Sequence, residues 1–241
     1  MASTHLDGSQ PSPGSEDVGL LRIPDGTLEV LKWIALALML LDHVNTFLYD
    51  RTLPGAYQAG RWVAPIFAFV LAYNLARPGA LERGAHLRTL KRLAVFGVLA
   101  SPPFMALIGH WWPLNILFLL LTATAVIYGL DRGDGAGVVI AGVSFCVGGL
   151  LAEYHYPGVA MVVAAWAYCR QPNMRHFAAW VLFTASLVLL NGNFWALTAV
   201  PTLLLAARVD LRVPRLRWAF YAFYPAHLLV LWWLRDGNKL F

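Results

Sequence analysis

Charge is the first thing this chain is short of. Only 13% of its 241 residues are Asp, Glu, Lys or Arg, against 59% hydrophobic, whereas an average soluble domain carries about 25% charged residues. That balance excludes an ordinary soluble globular fold. Cysteine is scarce too. Cys146 and Cys169 fall inside or at the end of apolar blocks, which excludes a disulfide framework. Strict alternation of apolar and polar positions, the mark of a membrane β-barrel, is missing as well. So are an inverted repeat and a matched pair of Gly/Pro-interrupted helices, features of many transporters. The stretch 131–135 (DRGDG) has fragments of a calcium loop but lacks its length and its final Glu, so no metal site is read from it.

What is present is a series of apolar blocks. The first, LEVLKWIALALMLLDHVNTFLY (28–49), is roughly 22 residues long, enough to cross a hydrocarbon core of about 30 Å at 1.5 Å per residue. Further blocks lie near 57–76, 90–109, 113–130, 136–152, 156–169, 176–191, 194–207 and 217–234. The expected fold is therefore all-α, a polytopic transmembrane helix bundle of about nine spans. Tight turns at EYHYP and NGN divide 136–169 and 176–207 into hairpins; merging each pair into one long tilted span gives the alternative of seven. Residues 1–27 are rich in Ser, Pro, Gly and Asp without a helical period, and are expected to be a disordered polar tail ahead of a helical domain over 28–241. The apolar run begins too late and runs too long for a cleaved signal peptide.

Basic residues sit in alternate loops. Fourteen of the 18 Lys and Arg residues fall on one side of a nine-span bundle, in the tail and first span (Arg22, Lys32) and after the second, fourth, sixth and eighth spans. The other side holds Arg51, Arg61, Arg235 and Lys239. Cytoplasmic loops of membrane proteins carry this excess, which predicts a cytoplasmic N-terminus and a periplasmic C-terminus. It also accounts for the net charge of +5 without nucleic-acid binding. Trp111, Trp112, Trp232 and Trp233 read as an aromatic belt at the membrane interface.

Ionisable groups inside a membrane are costly and mark function by default. Asp42 and His43 lie in the far half of the first span. Lys32 marks its cytoplasmic end, and His43 lies eleven residues on, on nearly the same face and roughly 16 Å deeper. Neighbours at i and i+1 point about 100° apart and do not face each other, so Asp42 and His43 are not a self-contained dyad. Asp42 is expected to seek Arg61, at matching depth on the second span. His227 on the last span reaches the depth of His43, after Pro225, a helix-kinking residue. Asn115, Glu153 and Tyr154 sit near the same outer level. These positions predict a polar cavity in the outer half of the bundle, with a basic cytoplasmic rim. Each residue also has a structural reading: an ion pair locking two helices for Asp42 and Arg61, a packing hydrogen bond for His227, simple hydration for Asn115 and Glu153.

The order of motifs resembles the TraX family. LKWIALALMLLDHVN, GRWVAPIFAFVLAYNLAR, RLAVFGVLASPPF, LNILFLLLT, EYHYPGV and YAFYPAHLL follow one another along nearly the whole chain after residue 27. Where the family commonly has Asp-Tyr-Gly, this chain has Glu153-Tyr154-His155. The resemblance implies a protein of plasmid conjugation in the bacterial inner membrane, acting in pilin maturation together with the pilus-assembly machinery. It implies transfer of an acetyl group from acetyl-CoA to pilin, and points to Lys32, Asp42, His43, Arg61, Asn115, Tyr154 and His227. A His with an ordinary pKa near 6.5 suits removal of an amine proton, or His43 could carry the acetyl group covalently. The catalytic candidates are thus His43, Asp42 and His227, and the substrate-binding ones Arg61, Asn115, Glu153 and Tyr154. Lys32, Arg88 and Arg92 are the candidates for the phosphates of coenzyme A. A non-enzymatic accessory that holds pilin, and a small-solute transporter, are the alternatives.

Overall fold

The structure is a computed structural model that describes residues 23–214, 216 and 218–237. The described residues are helical, with one isolated bridge between Leu114 and Ala152 as their strand-like pairing. The first helix, α1, covers Asp25–Leu48. A short α2 (Pro54–Gly60) runs into α3 (Val63–Ala76), followed by α4 (Ala85–Ile108) and α5 (Ile116–Arg132). Then α6 (Gly135–Val143) passes through a π-helical turn (Ser144–Gly148) into α7 (Gly149–Leu151), and α8 covers His155–Arg170. The last third holds α9 (Met174–Ala185), α10 (Val188–Asn191), a 3₁₀ turn (Trp195–Thr198), α11 (Ala199–Ala206) and α12 (Ala219–Asp236).

Joined through their short breaks, these elements form nine apolar helical segments among the described residues, in the order read from the sequence. The backbone leaves the helical state at 152–154 and 192–194, so neither hairpin is a single merged helix. Three segments are long and apolar enough to cross a membrane: Pro54–Ala76, Ala85–Ile108 and Met174–Asn191. The tail boundary moves. Asp25, Gly26 and Thr27 belong to α1, because Pro24 fixes the entry and Asp25 places a negative charge on the first turn. The tail up to residue 22, and the basic residues Arg22, Arg215, Arg217 and Lys239, lie outside the described residues.

Local chemistry sets the ends. Asn115, Asp134 and Asn173 each accept a hydrogen bond from a backbone N–H of the turn that follows, which supplies N-caps for α5, α6 and α9. Helix α3 is apolar on every face and is the buried centre. It packs against α8, α1, α11 and α5, with Phe69 stacked on Trp180 at 5.1 Å between ring centroids. Outward faces carry bare aliphatic side chains such as Val138, 67% exposed, and Leu189, 79% exposed. Soluble proteins avoid contiguous exposure of this kind; a lipid-facing surface requires it.

The bundle has two distinct ends. At the first, where α1 begins, Arg77 pairs with Asp25, Glu29 accepts from the Leu216 N–H at 3.1 Å, and Asp131 faces Arg170 and His86. At the second, Asn45 bonds both backbone groups of Leu53, and the Leu114–Ala152 bridge ties the start of α5 to the turn after α7. Helices α5 and α6 touch backbone to backbone, since a Cβ built on Gly129 would lie 2.4 Å from the Gly137 carbonyl oxygen. Gly129→Val should therefore force the pair apart and cost about 1–3 kcal/mol, read as a lower melting temperature in detergent, while the exposed Val138→Ala leaves it unchanged.

Candidate functional site

A cavity of about 640 Å³ opens at the second end of the bundle. Its walls include Asp42, His43, Asp50, Arg51, Tyr57, Arg61, Glu153, Tyr154, Tyr224 and Arg235. The predicted separation of Asp42 from His43 holds: each turns to a different partner on a different helix.

His43 meets His227. The His43 Nδ1 and the His227 Nε2 are 2.8 Å apart, and the rings are nearly parallel, at 7°. The other nitrogen of His227, Nδ1, lies 2.9 Å from the Phe223 carbonyl oxygen. A carbonyl only accepts, so His227 Nδ1 carries the proton and its Nε2 is left as an acceptor. His43 Nδ1 must then donate, and the neutral His43 keeps an unprotonated Nε2. This assignment requires the His227 side chain to fold back on its own helix, and α12 runs through Pro225 without ending there.

Asp42 meets Arg61. The guanidinium Nη2 donates to Asp42 Oδ2 at 2.7 Å, Nη1 donates to Asn191 Oδ1 at 3.1 Å, and Nε donates to the Tyr57 carbonyl at 3.2 Å. The Arg61 guanidinium also lies over the Tyr57 ring, and the Tyr57 hydroxyl donates to the Asn191 carbonyl at 3.0 Å. Gly60 makes room for the pair: a Cβ there would stand 2.3 Å from Asp42 Cγ. Asp42 Oδ1 and Asn191 Nδ2 are buried without a hydrogen-bond partner. Two of the five Arg61 N–H groups are left over after these three bonds.

Glu153 and Tyr154 come from the turn between α7 and α8. The Glu153 N–H donates to the Leu114 carbonyl at 2.8 Å, which anchors that turn on the start of α5. Tyr154 and His155 have φ of 62° and 46°, and Asp50 and Arg51 on the facing loop have 48° and 60°. Left-handed backbone is uncommon in residues with side chains and marks constrained sites. Asp50, Arg51 and Tyr154 line the cavity, whereas His155 packs on Trp112. Burial pushes the Glu153 carboxyl up to about 7, with Arg61 pulling the other way.

The remaining candidates are placed elsewhere. Asn115 is fully buried, and bonds the Gly97 carbonyl at 3.0 Å and Ser101 Oγ at 3.2 Å while capping α5; it does not line the cavity. Lys32 and Arg92 lie at the first end, on a separate cavity of about 300 Å³ that the sequence did not foretell. There Lys32 pairs with Glu29 at 2.5 Å and sits over Phe220, and Arg92 sits over Trp218. Arg88 turns to the Arg83 carbonyl and does not line that cavity. The first end of the bundle also buries two ionisable groups, Glu29 and His86. Sequence reasoning also missed Tyr224, whose ring packs edge-on to His227 at 5.4 Å. Its spacing of three residues before His227 was the available signal. Among the described residues no cluster of His, Cys, Asp and Glu is arranged to hold a metal ion.

The fold and site define an all-helical protein with membrane-length apolar helices and a polar, histidine-bearing cavity at one end. A family model described as TraX protein matches residues 27–235, and the chain belongs to the TraX family. It is 27% identical over 143 residues to Protein TraX of Escherichia coli, covering 59% of this chain and 56% of that one. It is 30% identical over 140 residues to Protein TraX of Escherichia coli (strain K12), covering 52% and 53%. The chain thus spans about half the length of these curated relatives. No solved structure matches it.

Removing either partner of the buried pair should leave an uncompensated charge. Asp42→Asn and Arg61→Ala should each cost about 3–5 kcal/mol, and Asp42→Leu with Arg61→Met should recover most of it, as measured by thermal melting of the four proteins. Glu153 gives a pH signature. Its folded pKa is raised, so between about 4.5 and about 7 the folded state holds the proton more tightly than the unfolded one. Stability should fall as pH rises through that window and level off above it. In Glu153→Gln, melting temperature against pH should lose that component.

Proposed function

We propose that this protein is a membrane acyltransferase that moves an acetyl group from acetyl-CoA to an amino group of a pilin subunit during plasmid conjugation. The observation that carries the reading is the relay from the Phe223 carbonyl through His227 to His43, which leaves His43 Nε2 unprotonated on a residue that lines the cavity. A neutral imidazole held in one tautomer is what a general base needs.

The basic residues that lie toward the start of α1 make that end the cytoplasmic one, in a bacterial inner membrane. Acetyl-CoA would come from that side, where Lys32, if it exchanges Glu29 for a phosphate, and Arg92 would meet its phosphates at a largely apolar cavity. The pilin amine comes from the other side, into the larger cavity. As the amine attacks the thioester carbonyl, His43 Nε2 takes its proton; the new N–C bond forms, the C–S bond breaks, and His43 returns the proton to the departing sulfur. The negative charge that develops on the carbonyl oxygen falls within a cavity that holds the two free Arg61 N–H groups and the Tyr154 hydroxyl, donors of the kind that stabilise such a charge. Glu153 lies where an incoming ammonium would meet a carboxylate. The pilus-assembly machinery would receive the modified subunit.

Intact-mass spectrometry of the pilin, with and without this gene, should show a difference of one acetyl group. His43→Ala that inserts normally should lower the modified fraction by about 10²-fold or more, and His43→Gln should not rescue it. Equal masses with and without the gene would instead support an accessory or transport role.

A further inference from the structure

We infer that the two cavities are halves of one passage through the bundle, interrupted by a septum of Met39, Ile116 and Tyr224. Those three residues line both cavities, the larger and the smaller alike. A single face of α1 supports the same connection. Lys32, Leu36 and Met39 line the smaller cavity, and Met39, His43 and Phe47 line the larger. The spacings of three and four residues place all of them on one stripe of the helix, so the stripe runs the length of the passage without turning away.

The shape and chemistry of the smaller half select a ligand class. Much of its wall is apolar, with Leu36, Leu120 and Phe220, and its charged groups are the cations Lys32 and Arg92 beside the carboxylates Asp25 and Glu29, with Lys32 paired to Glu29 and Arg92 over Trp218. That suits a thin, flexible, largely apolar arm with an anionic head group that stays at the cations. Lys32 to Met39 is seven residues, roughly 10 Å along the axis, and His43 is about 6 Å further. An arm threaded from the Lys32 end therefore stops at the septum, one turn short of His43. Met39 has an unbranched side chain that readily repacks, and Tyr224 touches His227. Passage of the tip past these two brings its terminal group to the histidine pair. The assignment of the arm as a thioester rests on the proposed acyl transfer; the passage itself does not.

Cysteine accessibility separates the two claims. The full chain carrying Cys146→Ser and Cys169→Ala is placed in membrane vesicles of either orientation, and Leu36→Cys, Met39→Cys or Thr46→Cys is added. A membrane-impermeant methanethiosulfonate is then applied from one face at a time. Leu36→Cys should react only from the Lys32 face, Thr46→Cys only from the opposite face, and Met39→Cys from both. Coenzyme A should slow the Met39→Cys reaction severalfold from the Lys32 face. Reaction of Met39→Cys from a single face overturns the passage, whatever the pilin mass shows. Reaction from both faces without protection by coenzyme A keeps the passage and removes the thioester from it. Ile116→Cys, read in the same way, decides the matter if Met39→Cys fails to insert.

Discussion

A full positive charge at Arg61, drawn into an apolar bundle, is the constraint that much of this site obeys. Moving an ion out of water costs several kcal/mol even after the protein relaxes, so each guanidinium edge must find an acceptor. Asp42 on α1, Asn191 at the end of α10 and the Tyr57 carbonyl on α2 supply them. Those contacts draw three separate stretches of the chain onto one side of the cavity. The short helix α2 exists to deliver Arg61 at that level, and the Asn45–Leu53 pair of bonds fixes the loop before it. Gly60 is small because Asp42 lies where a side chain would otherwise be.

With Asp42 committed to Arg61, the histidine next to it is free of a carboxylate. That matters chemically. A carboxylate partner would hold His43 as an imidazolium, or at least favour one, and a protonated ring is no base. The neutral His227 orients His43 without charging it. If His43 takes a proton as proposed, the cation can spread through His227 to a carbonyl dipole on α12.

Much of this was legible in the sequence, and for identifiable reasons. Apolar block length gave the helical segments because backbone polar groups in lipid must be satisfied within the segment. The i, i+1 geometry of a helix separated Asp42 from His43, and depth bookkeeping from alternate basic loops matched Asp42 to Arg61 and His43 to His227. What stayed hidden depends on which faces of distant helices meet. Asn115 looked like a polar residue near an interface, but its position directly before an apolar run made it a cap, and α4 supplied Gly97 and Ser101 to fill its remaining bonds. Glu29 and His86 gave no sign in the sequence that the packing of α1 and α4 would bury them. The smaller cavity left no trace in the chain because most of its wall is Leu, Val, Phe and Met, residue types that also fill a core.

Tyr224 shows why that last feature has functional weight. One residue of α12 touches His227, faces both cavities and closes the space between them with Met39 and Ile116. The chemistry and the barrier are therefore built from the same helix turn: Tyr224 stands one turn before His227, as Met39 stands one turn before His43. Under the proposed acyl transfer, a barrier of Met39, Ile116 and Tyr224 would keep donor and acceptor apart until a chain end crosses it. The His43–His227 pair lies one turn beyond, and in the proposed reaction exclusion of water there would strengthen the interactions with the developing charge.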